Sequence, residues 1–488
     1  MTCWSGLHLL ASPTDSLHFK PTHHVKPDVN RRSMSIGCHC QAILFHQNLN
    51  TMVATSDIPA DTSTSLLTTL ADEISSSATL LSSHIESRRL PWPSFSADGP
   101  RQPICEDNEE VSRARTALIE ATRSLHALAV GPVETTKHFC FNEIYLLGAM
   151  QVLCHFEIPQ NVPLQGTITF HHLASKTGLS EALLPRFLRM AIANFYFAEP
   201  EPGLVAHSAW SKPLATDEKM RACIWFRHAE MLPAVSKLVD MVKRYPDSPE
   251  PQDTAFSLAF GDAFFGYKER HPENMVQFGQ FLDAFSGGSS ADSAESIARA
   301  YPWETLPNRA LVVDVGGGIG HISAAIAQAH PHLRFQVQDF EDLRGAAEEL
   351  MESKGVKDRV EFVSHNFFDP QPEPARGAAV YFMRNILHNW SDLYCKRILK
   401  PIAESMGPES RIVNCDIVLP EPNSVPKAQD AVIRALDLTM LSLFNAKERS
   451  TDQWKELFAS ADGRLEITDM VGKPRMRMDS LVEVRLLC

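Results

Sequence analysis

The stretch from Leu311 to Gly320, LVVDVGGGIG, constrains the fold of this chain more than any other. Five residues suited to a buried strand run directly into a glycine-rich turn, and residues 321–327 carry apolar side chains at helical spacing. The order of strand, tight glycine turn and helix is that of the first unit of a nucleotide-binding α/β sheet. The stretch therefore predicts an open α/β sheet with a cofactor beside the turn.

The spacing of the glycines indicates the kind of cofactor. A dinucleotide site needs G-x-G-x-x-G, whereas Gly316, Gly317, Gly318 and Gly320 read G-G-G-x-G, and His321 occupies the third fingerprint position. This spacing argues against NAD and favours a ligand whose amino-acid tail lies across the turn, such as S-adenosylmethionine, because glycine lets the backbone approach closely. The alternative for the protein is a nicotinamide-dependent oxidoreductase. The alternative for the turn is an ordinary strand-to-helix glycine turn that binds no cofactor.

An acidic residue follows the next predicted strand, residues 333–338. Asp339 and Phe340 stand at its carboxyl end, roughly 20 residues past the turn, where a carboxylate can accept both ribose hydroxyls of a cofactor. Alternatively, Asp339 caps the helix predicted over residues 343–351. Both roles can hold together.

Composition excludes several classes of function. The 488 residues allow two or three domains, and the net charge of −13, with no basic stripe among aromatic residues, disfavours nucleic-acid binding. The ten cysteines contain no C-x-x-C pair that would indicate zinc, and no apolar run approaches the roughly 18 residues of a membrane span. We expect a reduced, cytoplasmic protein with no nucleic-acid partner, no membrane span and no metal.

The pattern along the chain divides it into three parts. The first 60 residues, rich in Ser, Thr, Pro and His, show no sustained periodicity and predict a disordered extension, a transit peptide or a gene model that starts too early. Helical patterns begin near Ser63, and residues 139–156 are apolar almost all round, which predicts a buried helix. The predicted parts are an extension over 1–60, a helical domain over 61–245 and an α/β domain over 246–488.

Residues 169–197 predict a helix-turn-helix. A helix ends at Gly178, and Ser180 is expected to cap a second helix over residues 181–193. Residues 195–197 and 204–206 predict the hairpin of a winged helix. Few basic residues lie in this stretch, so DNA binding is the weaker alternative.

From about Ser63 to the C terminus, the chain resembles the plant-type (class I) S-adenosylmethionine-dependent O-methyltransferases, particularly the fungal, sterigmatocystin-type members that methylate phenolic hydroxyls of polyketides. The resemblance rests on residues 312–320, on residues 365–368 (HNFF, similar to the G-D-M-F adenine segment) and most strongly on residues 381–392 (YFMRNILHNWSD). It implies a Rossmann-like methyltransferase sheet, preceded by a winged-helix domain that forms a homodimer.

The strongest segment also has a physical reading. Residues 378–383 predict a buried parallel strand, so the residues that follow emerge at the carboxyl edge of the sheet, where ligands bind in open α/β folds. Imidazole suits proton transfer near neutrality, so His388 can take the proton of a hydroxyl as that hydroxyl attacks the methyl group. The pKa of a phenol is about 10, so histidine is a weak base for it. Proton transfer is therefore expected to be concerted with attack or helped by the sulfonium charge. Alternatively, His388 is a capping or core histidine.

Two acids resemble the supporting carboxylates of the family. Asp416 follows the strand predicted over residues 411–415, and Glu448 lies within residues 445–449. Either could hold the ring of His388 and stabilise its imidazolium. The alternatives are a strand-end turn former for Asp416 and a solvated charge for Glu448.

The resemblance also implies cofactor contacts beyond the glycine turn, Asp339 and Phe340. Asn366 replaces aspartate but can accept from the adenine amino group, Phe367 can stack on the ring where methionine is usual, and Arg384 replaces lysine. Asn389 stands where the family has aspartate after the histidine. This last departure leaves a non-catalytic winged-helix regulator as an alternative.

The flanks of the α/β domain complete the expected enzyme. Residues 255–300 carry aromatic side chains at helical spacing and match the family's helices over the substrate cavity, although such stripes are more often core. Residues 465–471 and 480–487, joined by a turn at 472–474, predict a closing antiparallel hairpin. The resemblance thus implies methyl transfer to a hydroxyl of a small aromatic secondary metabolite.

Overall fold

The structure is a computed structural model that describes residues 65–102, 104, 108–287, 294–471 and 479–487. The extension predicted over 1–60 and the turn predicted at 472–474 lie outside the described residues. Within the described part, no helix is long and apolar enough to cross a membrane.

Helices dominate the first half of the described chain. They are α1 (Leu66–Arg88), α2 (Glu109–His155), α3 (Ile158–Asn161), α4 (Phe170–Thr177), α5 (Leu184–Ile192), α6 (Lys212–Thr216), α7 (Glu218–Phe226), α8 (Leu232–Val235) and α9 (Leu238–Arg244). A π-helical turn, Arg227–Met231, joins α7 to α8. The long α2 packs against α1 and bends at Gly131, whose φ of 76° is not helical and which Pro132 follows.

The second half of α2 differs from the buried helix that the sequence predicts. Its large apolar side chains Phe139, Phe141, Ile144 and Tyr145 are about 60% exposed, whereas Met150 and Leu153 nearer its end are buried. The prediction of burial is wrong for a single chain. The exposed residues instead form an apolar surface along this helix.

A compact unit around α4 and α5 contains the predicted helix-turn-helix. Helix α4 ends at Gly178 in the left-handed region, as predicted, but α5 begins at Leu184, and Ser180 does not cap it. Strand β2 (Leu204–Val205) pairs with β1 (Ile168–Thr169), and residues 195–197 form no strand because Phe195 and Phe197 have positive φ. In place of the hairpin predicted from residues 195–197 and 204–206, there is a single antiparallel bridge between Ala198 and Ala206.

Four helices lead from the helical region to the sheet. They are α10 (Ala255–Phe260), α11 (Phe264–Arg270), α12 (Pro272–Gly287) and α13 (Ala294–Ala300). Residues 288–293, within the stretch 255–300 that was matched to helices over the substrate cavity, lie outside the described residues, as does the side chain of Phe285. Helix α10 packs against the later helix Lys427–Phe444 (α17).

An eight-stranded sheet forms the second half. Its strands are β3 (Leu311–Val315), β4 (Arg334–Asp339), β5 (Val360–Ser364), β6 (Val380–Arg384), β7 (Arg411–Leu419), β8 (Arg449–Ser450), β9 (Leu465–Val471) and β10 (Asp479–Leu486). The helices between them are α14 (His321–Ala329), α15 (Arg344–Ser353), α16 (Asp392–Ser405), α17 (Lys427–Phe444) and α18 (Thr451–Ala461).

The sheet has the order β5-β4-β3-β6-β7-β10-β9, and β8 pairs with the end of β7. Strands β3 to β7 are parallel, and β10 runs antiparallel between β7 and β9, which confirms the predicted closing hairpin. Because the strand order reverses between β3 and β6, a crevice opens there at the carboxyl edge. Side chains of the central strands alternate between two buried clusters, one against α16 and α18 and one against α14 and α15.

Candidate active site

The glycine turn joins β3 to α14 and is held tightly against β4. Gly316, Gly318 and Gly320 have φ of 70°, 59° and 82°, a region that favours glycine. The N–H groups of Gly316 and Gly317 donate to the carbonyl of Gln338 at 2.9 and 3.2 Å. The backbone of this turn is thus fixed before any ligand arrives.

Asp314 explains why the second glycine is needed. A Cβ at Gly317 would lie only 2.5 Å from the Cγ of Asp314, a separation that no real Cβ tolerates. Asp314 is buried beneath the turn and accepts a hydrogen bond from Ser323 Oγ at 2.6 Å. Burial, helped by the charge of Asp339, raises the pKa of Asp314 to about 7 against the opposing effects of the Ser323 hydrogen bond and the Arg384 charge.

Asp339 lies at the end of β4, directly beside the turn. Its Oδ2 accepts the N–H of Gly318 at 2.8 Å and its Oδ1 accepts the N–H of Phe340 at 2.8 Å. Helix α15 begins at Arg344 after Leu343, so the alternative of Asp339 as its N-cap is wrong. The carboxylate is therefore oriented by the backbone at the edge where a ribose is expected.

The remaining predicted cofactor residues follow β5 and β6. Asn366 accepts the N–H of Phe368 at 3.1 Å through its side-chain oxygen, which keeps a second lone pair. Phe367 is buried, with its ring 4.9 Å from that of Phe368 and 6.0 Å from that of Trp390. The charge of Arg384, the last residue of β6, acts on Asp314.

The turn after β6 carries His388. Asn385 takes a left-handed conformation with φ of 53°, and its N–H donates to the carbonyl of Cys415 on β7. A single 3₁₀ turn, Leu387–Asn389, then presents His388, whose side chain is 12% exposed. Asn389, the departure noted in the sequence, donates back to the carbonyl of Asn385 at 2.9 Å and so stabilises the turn.

His388 pairs with Glu448. The alternative that Glu448 is a solvated charge is therefore wrong. Nδ1 of His388 lies 2.9 Å from Oε1 of Glu448, whose side chain is fully buried. Glu448 is placed there because β8 continues the pairing of β7, and because its own N–H donates to Asp437 of α17 at 2.9 Å. A carboxylate can only accept, so this contact puts the imidazole hydrogen on Nδ1 and leaves Nε2 as the basic nitrogen.

Asp416 does not end its strand. Strand β7 continues to Leu419, which corrects the interpretation of Asp416 as a strand-end residue or turn former, and the side chain is fully buried. It lies one position beyond Cys415, which pairs with the last residue of β6. Burial raises the pKa of the Cys395 thiol beneath the His388 turn, and the charge of Asp416 contributes to that rise. A direct catalytic role for Asp416 stays a prediction.

Comparisons with known proteins agree with this geometry. The family model described as an O-methyltransferase domain matches residues 236–463. O-methyltransferase aurJ of Gibberella zeae is 34% identical over 420 residues, which cover 84% of this chain and 95% of aurJ. The chain belongs to the S-adenosylmethionine-dependent O-methyltransferases.

Solved structures share the fold as well. Mitomycin 7-O-methyltransferase MmcR matches with a TM-score of 0.62 and 26% identity, covering 75% of this chain and 99% of MmcR. OxaC, solved in complex with SAH and oxaline, has a TM-score of 0.68 at 21% identity, covering 86% of this chain and 98% of OxaC. Membership of this family decides between the two cofactors that the glycine spacing left open, in favour of S-adenosylmethionine.

The residues of this O-methyltransferase fit that cofactor. The backbone at Gly317 carries no side chain, because a Cβ there would collide with Asp314, and the N–H of the next residue, Gly318, donates to Asp339. Among the described residues, no group of three or more His, Cys, Asp or Glu side chains could hold a metal ion. The site therefore offers a cradle for an amino-acid tail and a ribose.

Sequence reasoning missed two residues of this site. Asp314 was hidden within an apolar strand, although an acid among four aliphatic residues just before a glycine turn is a usable signal. Asp437, which holds the backbone of Glu448, lies on a helix whose spacing indicated only core packing. Its role appears only when β8 is placed beside β7.

The aromatic helices before the sheet form a packed cluster. Phe264 is buried with its ring 5.0 Å from Phe256, 5.0 Å from Phe278 and 5.1 Å from Phe444 of α17. Most of these rings are thus core, as the sequence allowed. Helix α17 also packs against the His388 turn, so it links the cluster to the site.

Proposed function

We propose that this enzyme methylates a phenolic hydroxyl of an aromatic secondary metabolite such as a polyketide, with His388 as the general base. The single observation that carries the proposal is the 2.9 Å contact between His388 Nδ1 and the buried Glu448 Oε1. A histidine with its tautomer fixed by a buried carboxylate, at the carboxyl edge beside a cofactor turn, has the arrangement that proton abstraction requires.

The proposed chemistry divides between cofactor and protein. When bound, S-adenosylmethionine would supply an electrophilic methyl group on a sulfonium and, with the pair of the broken carbon–sulfur bond kept on sulfur, be left as the neutral thioether S-adenosylhomocysteine. His388 Nε2 accepts the proton of the hydroxyl as its oxygen attacks, and the negative charge of Glu448 stabilises the resulting imidazolium. Holding the oxygen in line with the methyl group contributes the larger part of the acceleration.

Cofactor contacts are proposed for the residues that converge on the crevice. Gly316, Gly317 and Gly318 would face the amino-acid tail, and Asp339 and Phe340 the ribose. Asn366, Phe367 and Arg384 are proposed around the adenine side on the strength of their strand-end positions and the family resemblance.

An aromatic acceptor is supported by the packed helices above the site. The cluster formed by α10, α11, α12 and α17 contains Phe256, Phe264, Phe278 and Phe444, and partly buried Phe260 and Tyr267 lie at its border. Planar rings stack well on such walls. The border of this cluster is therefore the proposed place for the acceptor ring.

A homodimer formed through the helical domain is also proposed. The exposed apolar surface on the second half of α2 is larger than isolated surface residues would explain. We infer that the α4–α5 unit is a winged helix that serves this association rather than DNA binding. The predicted domain limits and the cytoplasmic location stay predictions.

The proposed base is tested by His388→Ala. Turnover should be measured with S-adenosylmethionine and a panel of hydroxylated naphthoquinones and anthraquinones, and cofactor affinity by calorimetry. We expect methyl transfer to fall at least about 10²-fold while the dissociation constant for S-adenosylmethionine changes little. Turnover close to that of the wild type would refute His388 as the base.

A further inference from the structure

Arg449 is a buried arginine behind the turn that carries His388. Its side chain has no exposed surface, and its guanidinium lies 5.1 Å from the centre of the Trp454 ring. A guanidinium has five N–H donors, and burying it is costly unless they are satisfied. Its partners therefore indicate what this charge is for.

Two of those partners are backbone oxygens on either side of His388. Nη1 of Arg449 donates to the carbonyl of Leu387 at 3.1 Å, and Nη2 donates to the carbonyl of Trp390 at 2.8 Å. The planar fork of arginine holds two acceptors in a fixed relation, which the ammonium of lysine cannot do. Arg449 thus bridges the start of the turn and the residue just after it.

A third partner neutralises the buried charge. Nε and Nη2 of Arg449 lie 2.9 and 2.8 Å from Oδ1 of Asp392, while Nζ of Lys447 lies 2.7 Å from Oδ2. Burial would raise the pKa of Asp392, but the hydrogen bond from Lys447 and the charge of Arg449 hold that pKa below its usual value. Asp392 is therefore ionised and keeps the guanidinium in place.

The connection along the chain is direct, because Arg449 follows Glu448. Glu448 holds the imidazole ring of His388 at 2.9 Å, and the next residue holds the backbone on both sides of that same histidine. Arg449 is fixed by the short strand β8, in which it pairs with Val418, and Glu448, just before that strand, is fixed by the bond from its N–H to Asp437. One dipeptide thus sets both the position of the turn and the orientation of its ring.

We propose that Arg449 is a positioning residue for the base, acting through the carbonyls of Leu387 and Trp390 and making no contact with the acceptor. This inference rests on the proposed role of His388. Without the bridge, the turn relaxes and Nε2 moves relative to the hydroxyl, and a displacement of about 1 Å can lower turnover about 10²-fold. Cofactor binding is expected to change much less than turnover, because the glycine turn and Asp339 lie on other strands.

The test compares Arg449→Met and Arg449→Lys with Lys447→Met. The last variant removes a second cation from Asp392 but no hydrogen bond to either carbonyl, so its turnover should match the wild type. With the best phenolic acceptor of the panel above, Arg449→Met should lower kcat about 10²-fold, with the KM for S-adenosylmethionine changed less than about two-fold. Arg449→Lys keeps the charge for folding and should still lose at least about 10-fold in kcat.

A spectroscopic signature separates positioning from stability and needs no acceptor. In protein labelled with ¹⁵N-histidine, the Nδ1–H of His388 bonded to Glu448 should give a low-field proton resonance, assigned by its loss in His388→Ala. We expect this proton to exchange faster with solvent in folded Arg449→Lys than in Lys447→Met.

Two results would overturn the inference. One is a folded Arg449→Lys or Arg449→Met variant with wild-type kcat and an unchanged resonance, and the other is a loss of kcat that only follows the fraction of folded protein. If His388→Ala itself keeps its turnover, the proposed base fails instead, whatever the Arg449 variants show.

Discussion

At the scale of single residues, the most consequential side chain is one that touches no proposed substrate. Asp314 lies beneath the glycine turn, and burial raises its pKa to about 7 from an ordinary value near 4. The folded protein therefore holds a proton that the unfolded chain has lost over about pH 4 to 7. The free energy of unfolding should therefore fall as the pH rises through this range, by about 4 kcal/mol at most.

Asp314→Asn tests this pH dependence. The amide keeps an oxygen for Ser323 and removes the charge, so the variant should gain stability relative to the wild type as pH rises from 5 to 8. Urea unfolding of the cofactor-free proteins measures the difference. Asp392→Asn is the control of opposite sign: the pKa of Asp392 is lowered, so its carboxylate stabilises above pH 4 and its loss should destabilise equally at pH 5 and 8. An identical pH profile for Asp314→Asn and the wild type would contradict the assignment.

Glu448→Gln separates the effect of the Glu448 charge from the geometry of its contact with His388. A glutamine oxygen can still accept from Nδ1 of His388, so the ring keeps its orientation while the charge that stabilises the imidazolium is lost. We expect kcat to fall roughly 10²-fold with unchanged affinity for S-adenosylmethionine. Single-turnover kinetics measure the chemical step directly, and an unaltered rate there would show that Glu448 only shapes the turn.

At the scale of elements, the turn between β3 and α14 shows how a missing side chain creates a binding surface. Gly317→Ala would push a methyl group against the Asp314 carboxylate, so the turn must shift. We expect the dissociation constant for S-adenosylmethionine to rise at least about 10²-fold by calorimetry, because even a displacement of about 1 Å disrupts a preorganised site. Gly345→Ala on α15 is the matched control, since nothing lies within 4 Å of its added Cβ. That control should bind normally and gain about 0.5–1 kcal/mol of stability.

The same elements show what the sequence could predict and why the rest escaped it. The apolar composition and length of the segments that form β3, β4 and β6 predict Gly317, Asp339 and His388 at one sheet edge, because the carboxyl ends of parallel strands meet there. The composition of residues 195–197 predicts a strand, but Phe195 and Phe197 have positive φ values, which depend on tertiary contacts that the composition does not reveal. The Glu448 contact depends on β8, a two-residue strand with no sequence period.

At the scale of the whole molecule, the surface of α2 is the feature that a single chain leaves unexplained. A helix that is apolar all round predicts burial, yet Phe141 and Ile144 stand about 60% exposed, one turn apart. Both statements are reconciled if a second copy covers this surface. A two-fold interface would then bury both side chains in each of the two subunits.

Phe141→Glu combined with Ile144→Glu should therefore give a monomer. Burial of one such side chain contributes roughly 1.5–3 kcal/mol, so losing two from each subunit should raise the dissociation constant of the dimer at least about 10³-fold. Light scattering coupled to size exclusion measures the mass directly. Leu164→Glu, at an exposed apolar residue of the loop between α3 and β1, should leave the mass unchanged. A wild-type protein that is already monomeric at micromolar concentration would sink the dimer, and the exposed face of α2 would then need another partner.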